Sequence, residues 1–298
     1  MDFEGEDAGS APRRRMFVSQ RLNISVATWG NERCPPIILL HGGRDQCRSW
    51  DNFAKSLSGT HFVLAPDLRG HGRSDWVSDG VYDVNDMVFD VWAMLQHHGI
   101  QSCVIVGHSL GGNVALRLAG IRPELVRALV VIEGLGASPT IVASQQDVSV
   151  WQRMQEWFAE RQKVQTREQR SYADFDSAVS RFQELHPALP PEVVHELVKH
   201  NTSRRDDGRY VFRHDPYAIL TPPVDLTWPE KHALWSHISA PVLLVYGAKS
   251  WASNPEQDGR TQHFQNCRTV VISDAGHWVH LEQPAAFQQA FDEFAATL

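Results

Sequence analysis

The chain has 298 residues, 42% of them hydrophobic and 21% charged, with a formal charge of −7. A chain of that length buries about three quarters of its unfolded surface, enough for one large domain plus an insertion, and the composition is that of an ordinary globular protein. The negative balance argues against a nucleic-acid partner, because nothing supplies a dense basic surface against phosphate repulsion.

Residues 1–15 carry Asp, Glu, Gly and Arg without an apolar segment, so no secretory signal is expected. They are read as a flexible arm, with Arg13, Arg14 and Arg15 as a solvated basic run. An antiparallel hairpin is predicted over 17–29. Strands follow at 37–40, 62–65, 103–106, 128–132, 242–246 and 269–272. These runs are continuously apolar rather than alternating, as expected for strands covered on both faces. Helices are predicted between and after them, at 50–56, 84–97, 112–120 and 284–297. Alternation of this kind argues for an α/β fold with a mostly parallel sheet wrapped by helices.

Residues 137–237 break the rhythm. Trp151, Met154 and Phe158 share one helix face, as do Tyr172, Phe175, Val179 and Phe182. A third helix is predicted after Pro190-Pro191, with Val194, Leu197 and Val198 turned inward. The block is read as a helical lid inserted into a core made of 16–136 and 238–298. Its aromatics are expected mainly to pack the lid itself, and a lid walls a site off from water. The four cysteines (34, 47, 103 and 267) show no metal-type or redox spacing, so free thiols in a reducing compartment are expected, with the cytoplasm as default. No apolar stretch approaches the ~20 residues that cross a bilayer.

The chemistry centres on Gly107-His108-Ser109-Leu110-Gly111, which ends a predicted strand and opens a helix. A serine between two glycines at such a junction is the pattern of a nucleophile elbow, with its hydroxyl standing at a helix N-terminus where positive partial charge favours an anion. A serine hydroxyl needs a base within hydrogen-bond reach. His277 follows the last strand through Ser273-Asp274-Ala275-Gly276, at the carboxyl edge where groups of open α/β sheets gather. His280 reads as a surface or capping residue, and His108 and His41 as packing residues.

An acid should orient the imidazole. The loop after the 242–246 strand, a common place for it, reads Gly247-Ala248-Lys249-Ser250-Trp251 and offers Ser250 in place of a carboxylate. Glu133, at the end of the 128–132 strand, is preferred, because a charge ending an apolar strand is costly unless paired or functional. Its competing structural reading is a solvated terminus or a salt bridge to the lid. Asp258 is the alternative acid, within reach only if the loop after Gly247 folds back. Oxyanion donors are expected from the backbone N–H groups of Leu110 and of Gly43 in His41-Gly42-Gly43-Arg44. The stretch 67–74, Asp-Leu-Arg-Gly-His-Gly-Arg-Ser, reads as a hydrogen-bonded loop bracing the site.

Together these residues resemble the α/β-hydrolase superfamily in its lidded, serine-nucleophile branch. His41-Gly42-Gly43, the 67–72 stretch, the elbow and Gly276-His277 stand in family order over about 17–298, the lid apart. The resemblance implies an eight-stranded, mostly parallel sheet, a Ser109–His277 pair and no cofactor. Ser250 departs from the pattern by removing the usual acid; some family members place the acid after the strand that follows the elbow helix, which matches Glu133. Arg213-His214-Asp215-Pro216 in the lid is loosely similar to serine-hydrolase-like proteins. Haloalkane dehalogenases and epoxide hydrolases carry an aspartate where Ser109 stands, so their reactions are not expected.

The expectation is therefore hydrolysis of a carboxylic ester through Ser109, His277 and Glu133, with no metal. A lactonase or a carbon–carbon bond hydrolase using the same groups is the second reading, and a non-catalytic ligand-binding protein the third. The partner is expected to be a small molecule with an apolar or aromatic group, beside Trp251 and Trp278. Periodicity does not give the oligomeric state.

Overall fold

The computed structural model describes residues 11–144, 148–220 and 222–298. The chain opens with β1 (Arg13–Ser19) and β2 (Leu22–Trp29), a hairpin turned by Gln20 and Arg21, both at positive φ. Next come β3 (Pro36–Leu40), α1 (Asp51–Leu57), β4 (Phe62–Pro66), α2 (Val84–His97), β5 (Cys103–His108), α3 (Leu110–Ile121) and β6 (Val126–Ile132). An inserted block holds α4 (Pro139–Ser144), α5 (Val150–Thr166), β7 (Ser171–Tyr172), α6 (Phe175–Leu185), α7 (Pro191–Asn201), β8 (Thr202–Arg204), β9 (Tyr210–Phe212) and α8 (Trp228–Ser236). The chain closes with β10 (Val242–Gly247), β11 (Cys267–Ile272), α9 (Val279–Glu282) and α10 (Pro284–Ala295).

Eight strands form one sheet in the order β1-β2-β4-β3-β5-β6-β10-β11, parallel from β4 onward and antiparallel at the β1-β2-β4 edge. Successive residues of β3 show why its strands are apolar throughout. Ile38 and Leu40 join the core under α2, α3 and α8, whereas Ile37 and Leu39 join the opposite core with Phe53 of α1 and Phe287, Phe291 and Phe294 of α10. Both faces are covered, so alternation has no solvent face to mark. Phe53 meets Phe287 and Phe291 at ring distances of 4.9 and 5.1 Å, and each such buried ring contributes about 1.5–3 kcal/mol.

Three expectations are corrected. Arg13, Arg14 and Arg15 do not belong to an arm: they begin β1, opposite Thr28, Ala27 and Val26, because β2 offers a backbone partner while the side chains stay at the surface. Residues 1–10 of the expected arm lie outside the described residues. Trp151 and Phe158 are 68% and 65% exposed, so the face they share is not the packed one. α5 instead anchors through Arg161, which lies 5.1 Å over Trp157 and 5.0 Å over Tyr217 and donates to the carbonyls of Asp79 and Gly80. The block also contains a three-stranded antiparallel sheet, β7-β9-β8, whose two- and three-residue strands are too short to leave a periodic trace. Tyr172, Phe182, Val194, Leu197 and Val198 are buried as the periodicity predicts. α8 packs on α3 of the core, with Leu234 against Gly120. Among the described residues no helix is long and apolar enough to cross a membrane.

The loop after β4 is anchored by a buried ion pair. Arg69 donates from Nε and Nη2 to Asp90 of α2 at 2.7 and 2.8 Å, and both side chains are almost fully buried. Removing one partner strands a buried charge, at a cost of about 3–5 kcal/mol; the half-exposed Asp86, 3.3 Å from Arg69, moderates it. Asp90→Ala is expected to lower the unfolding free energy by about 3 kcal/mol in urea titrations, whereas Trp151→Ser should change it by less than about 0.5 kcal/mol.

Candidate active site

Ser109 sits between β5 and α3 with φ 50° and ψ −113°, a conformation that ordinary side chains avoid. The turn is tight enough that a Cβ at Gly107 would lie 2.5 Å from the Gly111 carbonyl oxygen, and one at Gly111 would lie 2.3 Å from that of Leu40. Both positions therefore admit only glycine, and the structure has a tight strand-to-helix turn where the sequence predicts one. The Ser109 N–H donates to the Ile132 carbonyl at 2.8 Å, which ties the elbow to the end of β6, one residue before Glu133.

Glu133 has φ 50° and a side chain with no solvent exposure. Its carboxylate accepts three hydrogen bonds: Gly247 N–H on Oε1 at 2.9 Å, and Ser250 Oγ–H and His277 Nδ1–H on Oε2, each at 2.5 Å. Ser250, which the sequence offered only as a missing acid, thus donates to the buried carboxylate of Glu133. Asp258 stands elsewhere: it accepts from Ser253 Oγ and from Arg260, whose Nη1 also donates to the Gly136 carbonyl.

The backbone of His277 is held on both sides. Glu282 accepts from the N–H groups of Gly276 and Trp278 at 2.6 and 3.1 Å, and His108 Nε2–H donates to the His277 carbonyl at 2.9 Å. His108 is therefore more than a packing residue; it links the position before Ser109 to the histidine loop. Glu282 was missed in the sequence, where a carboxylate on a short helix carries no signal of what it caps.

The loop after β3 completes the edge. His41 is fully buried, accepts from Leu68 N–H on Nε2 at 2.9 Å and bonds its Nδ1–H to the Gly42 carbonyl at 2.7 Å. Gly43 is exposed, with open space where a side chain would be. Leu110 is the first residue of α3, so its N–H has no acceptor within the helix. Asp67 braces the loop by accepting from the N–H groups of Cys47 and Arg73; burial opposes its charge, but Arg14, His41 and those amides hold its pKa below the usual range.

The inserted block reaches this edge. Trp278 packs against His186 at 4.9 Å and Phe182 at 6.4 Å, both from α6 and its C-terminal cap. Trp251 is 66% exposed, with its ring 5.1 Å from that of His277. His280, expected at the surface, is buried: it stacks on Trp50 at 4.3 Å and lies 4.8 Å from His108. Short α9 turns it under the sheet edge rather than along α10, which is why its position in the sequence misled. Burial holds its pKa near 3, reinforced by His277, and holds that of His41 near 4, reinforced by His71.

A family model described as the alpha/beta hydrolase fold matches residues 35–284, and the chain belongs to that family. Among curated proteins it is 30% identical over 269 residues to Esterase Rv0045c of Mycobacterium tuberculosis, covering 88% of this chain and 83% of the relative. It is 29% identical over 277 residues to Esterase YbfF of Escherichia coli, covering 92% and 98%. Among solved structures, the thioesterase domain from the curacin biosynthetic pathway superposes with a TM-score of 0.82 at 23% identity, over 94% of this chain and 99% of that one; the likeness is one of fold.

The buried histidines set a direction for acid stability. A histidine whose native pKa lies below its unfolded value of about 6.5 stabilises the protein above that pH and loses the contribution as pH falls, by about 1.4 kcal/mol per unit. His41 and His280 each lose about 2 kcal/mol between pH 6.5 and 5 by that slope. Asp45, which burial raises to about 7, works the other way and offsets one of them. His186, His200 and His214, also lowered to about 4, act in the same direction. The unfolding free energy should thus be lower at pH 5 than at 6.5 by at least about 2 kcal/mol, with net proton uptake on unfolding, measurable by calorimetry in two buffers of different ionisation enthalpy.

Proposed function

We propose that this chain is a serine hydrolase that cleaves carboxylic esters of small molecules. The observation that carries the reading is the bonded series running from Glu133 Oε2 to His277 Nδ1, and from the His277 carbonyl to His108, the neighbour of Ser109. The relatives named esterases support the reaction class.

In this reading Ser109 Oγ attacks the ester carbonyl while Nε2 of His277 takes its proton. Glu133 fixes the tautomer with Nδ1–H and stabilises the imidazolium that forms. The N–H groups of Gly43 and Leu110 receive the developing oxyanion; such donors are each worth about 10²–10³ in rate. Collapse of the tetrahedral intermediate releases the alcohol with the proton from His277. Water, deprotonated by the same imidazole, then hydrolyses the acyl-Ser109 ester and regenerates the enzyme. Ser250 and Gly247 act through Glu133: with both carboxylate oxygens bonded, the acid cannot rotate away from the ring.

Residues 137–237 serve as a lid over this edge, with Phe182 and His186 seated on Trp278, the neighbour of His277, and with Trp251 and Trp278 flanking an apolar or aromatic group of the substrate. The aromatic contacts between α6 and Trp278 support that placement.

Ser109→Ala should lower kcat for nitrophenyl butyrate by about 10⁴-fold or more and abolish labelling by a fluorophosphonate; full retained turnover would refute the mechanism. Glu133→Gln should lower kcat by about 10³–10⁴-fold while Asp258→Asn changes it by less than threefold, and the opposite ranking would transfer the acid to Asp258. Ser250→Ala removes one hydrogen bond to a charged group and should cost about tenfold, in kcat rather than KM.

A further inference from the structure

Six described residues other than glycine have positive φ. Gln20 and Arg21 turn the first hairpin; the other four are Arg44, Ser109, Glu133 and Asp274, which follow β3, β5, β6 and β11 on the carboxyl edge of the sheet. Ser109 and Glu133 belong to the proposed machinery, and Asp274 lies on the turn that delivers His277. Arg44 completes the series at φ 63°, directly after the oxyanion glycine Gly43. An arginine gains nothing from that conformation and carries a strain of about 1–3 kcal/mol unless its surroundings enforce it. Here they do: Asn201, buried at the end of α7, donates from Nδ2 to the Arg44 carbonyl at 2.9 Å.

The Arg44 guanidinium has no carboxylate partner among the described residues. Asp45 beside it is buried and bonded to Ser49 and the Gln46 backbone, Asp67 is taken by Arg14 and two amides, and Glu133 is taken by His277 and Ser250. The Arg44 side chain is exposed, and its charge bears on two residues of the inserted block, His186 and His214, both held near pKa 4 mainly by burial. His186 in turn lies close enough to His277 for the two rings to influence each other's charge. A cation on the loop after β3 thus lies within electrostatic reach of two imidazoles of the inserted block that are neutral at pH 7 and so neither balance nor reinforce it.

We propose that Arg44 is a specificity-determining residue that binds a carboxylate carried by the substrate, so that the ester cleaved at Ser109 belongs to a molecule with a second, anionic end. An arginine fork is matched to a carboxylate in shape and charge, and the held backbone fixes where this exposed side chain leaves the loop, next to Gly43, with no protein acid among the described residues to occupy it. The proposal rests on the esterase reading and narrows its substrate class.

Three esters test it: nitrophenyl butyrate, the nitrophenyl hemiester of glutaric acid, with a carboxylate on the acyl side, and carboxynitrophenyl butyrate, with one on the leaving side. The wild-type protein should turn over one of the two acidic esters with kcat/KM at least about tenfold above the neutral ester, an advantage that falls with added salt. Arg44→Gln should cut the ratio of acidic to neutral kcat/KM about tenfold, through KM, and Arg44→Lys should restore part of it. Equal losses on all three esters, or a ratio that Arg44→Gln leaves unchanged, would overturn the proposal while sparing the esterase reading. A wild-type protein that turns over none of the esters and resists fluorophosphonate would overturn both.

Discussion

A carboxylate with no solvent exposure must find hydrogen-bond donors for both oxygens inside the protein, and Glu133 finds three on two different loops. Gly247 and Ser250 come from the loop after β10, and His277 from the loop after β11. The Glu133 N–H donates in turn to Val245 of β10. One buried group therefore sets the relative positions of three strand ends. If it were displaced, its oxygens would lose partners that water could not replace at that depth. The histidine loop is held to this carboxylate through His277, and to the rest of the edge through Glu282 and His108.

The elbow meets the same edge from the other side. Strands β5 and β6 are paired without interruption from Val104 and Ala128 to His108 and Ile132, so the end of one fixes the end of the other, and the Ser109 N–H closes that pairing on Ile132. The strain at Ser109 and Glu133 is tolerable because both follow strands buried on two faces, where the core on each side resists local relaxation. Glycines at 107 and 111 let neighbouring chains approach within what would otherwise be a clash. Packing supplies the rigidity, and the rigidity holds the geometry on which the proposed chemistry depends.

Histidine is unusually dense around this edge, and the surroundings divide the histidines by role. His41, His108 and His280 are buried, and burial is the main reason their pKa values are lowered, so they act there as neutral hydrogen-bonding and stacking groups. His277 keeps part of its side chain in contact with solvent and has a carboxylate on Nδ1. Imidazoles close together would repel if several were charged; keeping the neighbours neutral leaves the positive charge that forms during the proposed reaction to the one ring with an acid behind it.

Much of this was legible in the sequence. Continuous apolar runs give buried parallel strands because both faces exclude water, and helix α2 occupies 84–97 as its pattern predicts. The elbow, His277 and Glu133 could be picked out because their residue types are costly or conspicuous at strand ends. The placement of Arg13 to Arg15 in β1, the exposure of Trp151 and Phe158, and the burial of His280 were not legible, since each depends on a partner distant in the chain. The same holds for Ser250: nothing in Gly-Ala-Lys-Ser-Trp announces that its hydroxyl reaches a carboxylate 117 positions earlier. Local pattern and burial period determined which segments became strands and which residue types stood at their ends. Only the tertiary structure decided which of those ends touch, because hydrogen bonds to a buried group are satisfied in space and leave no trace in spacing along the chain.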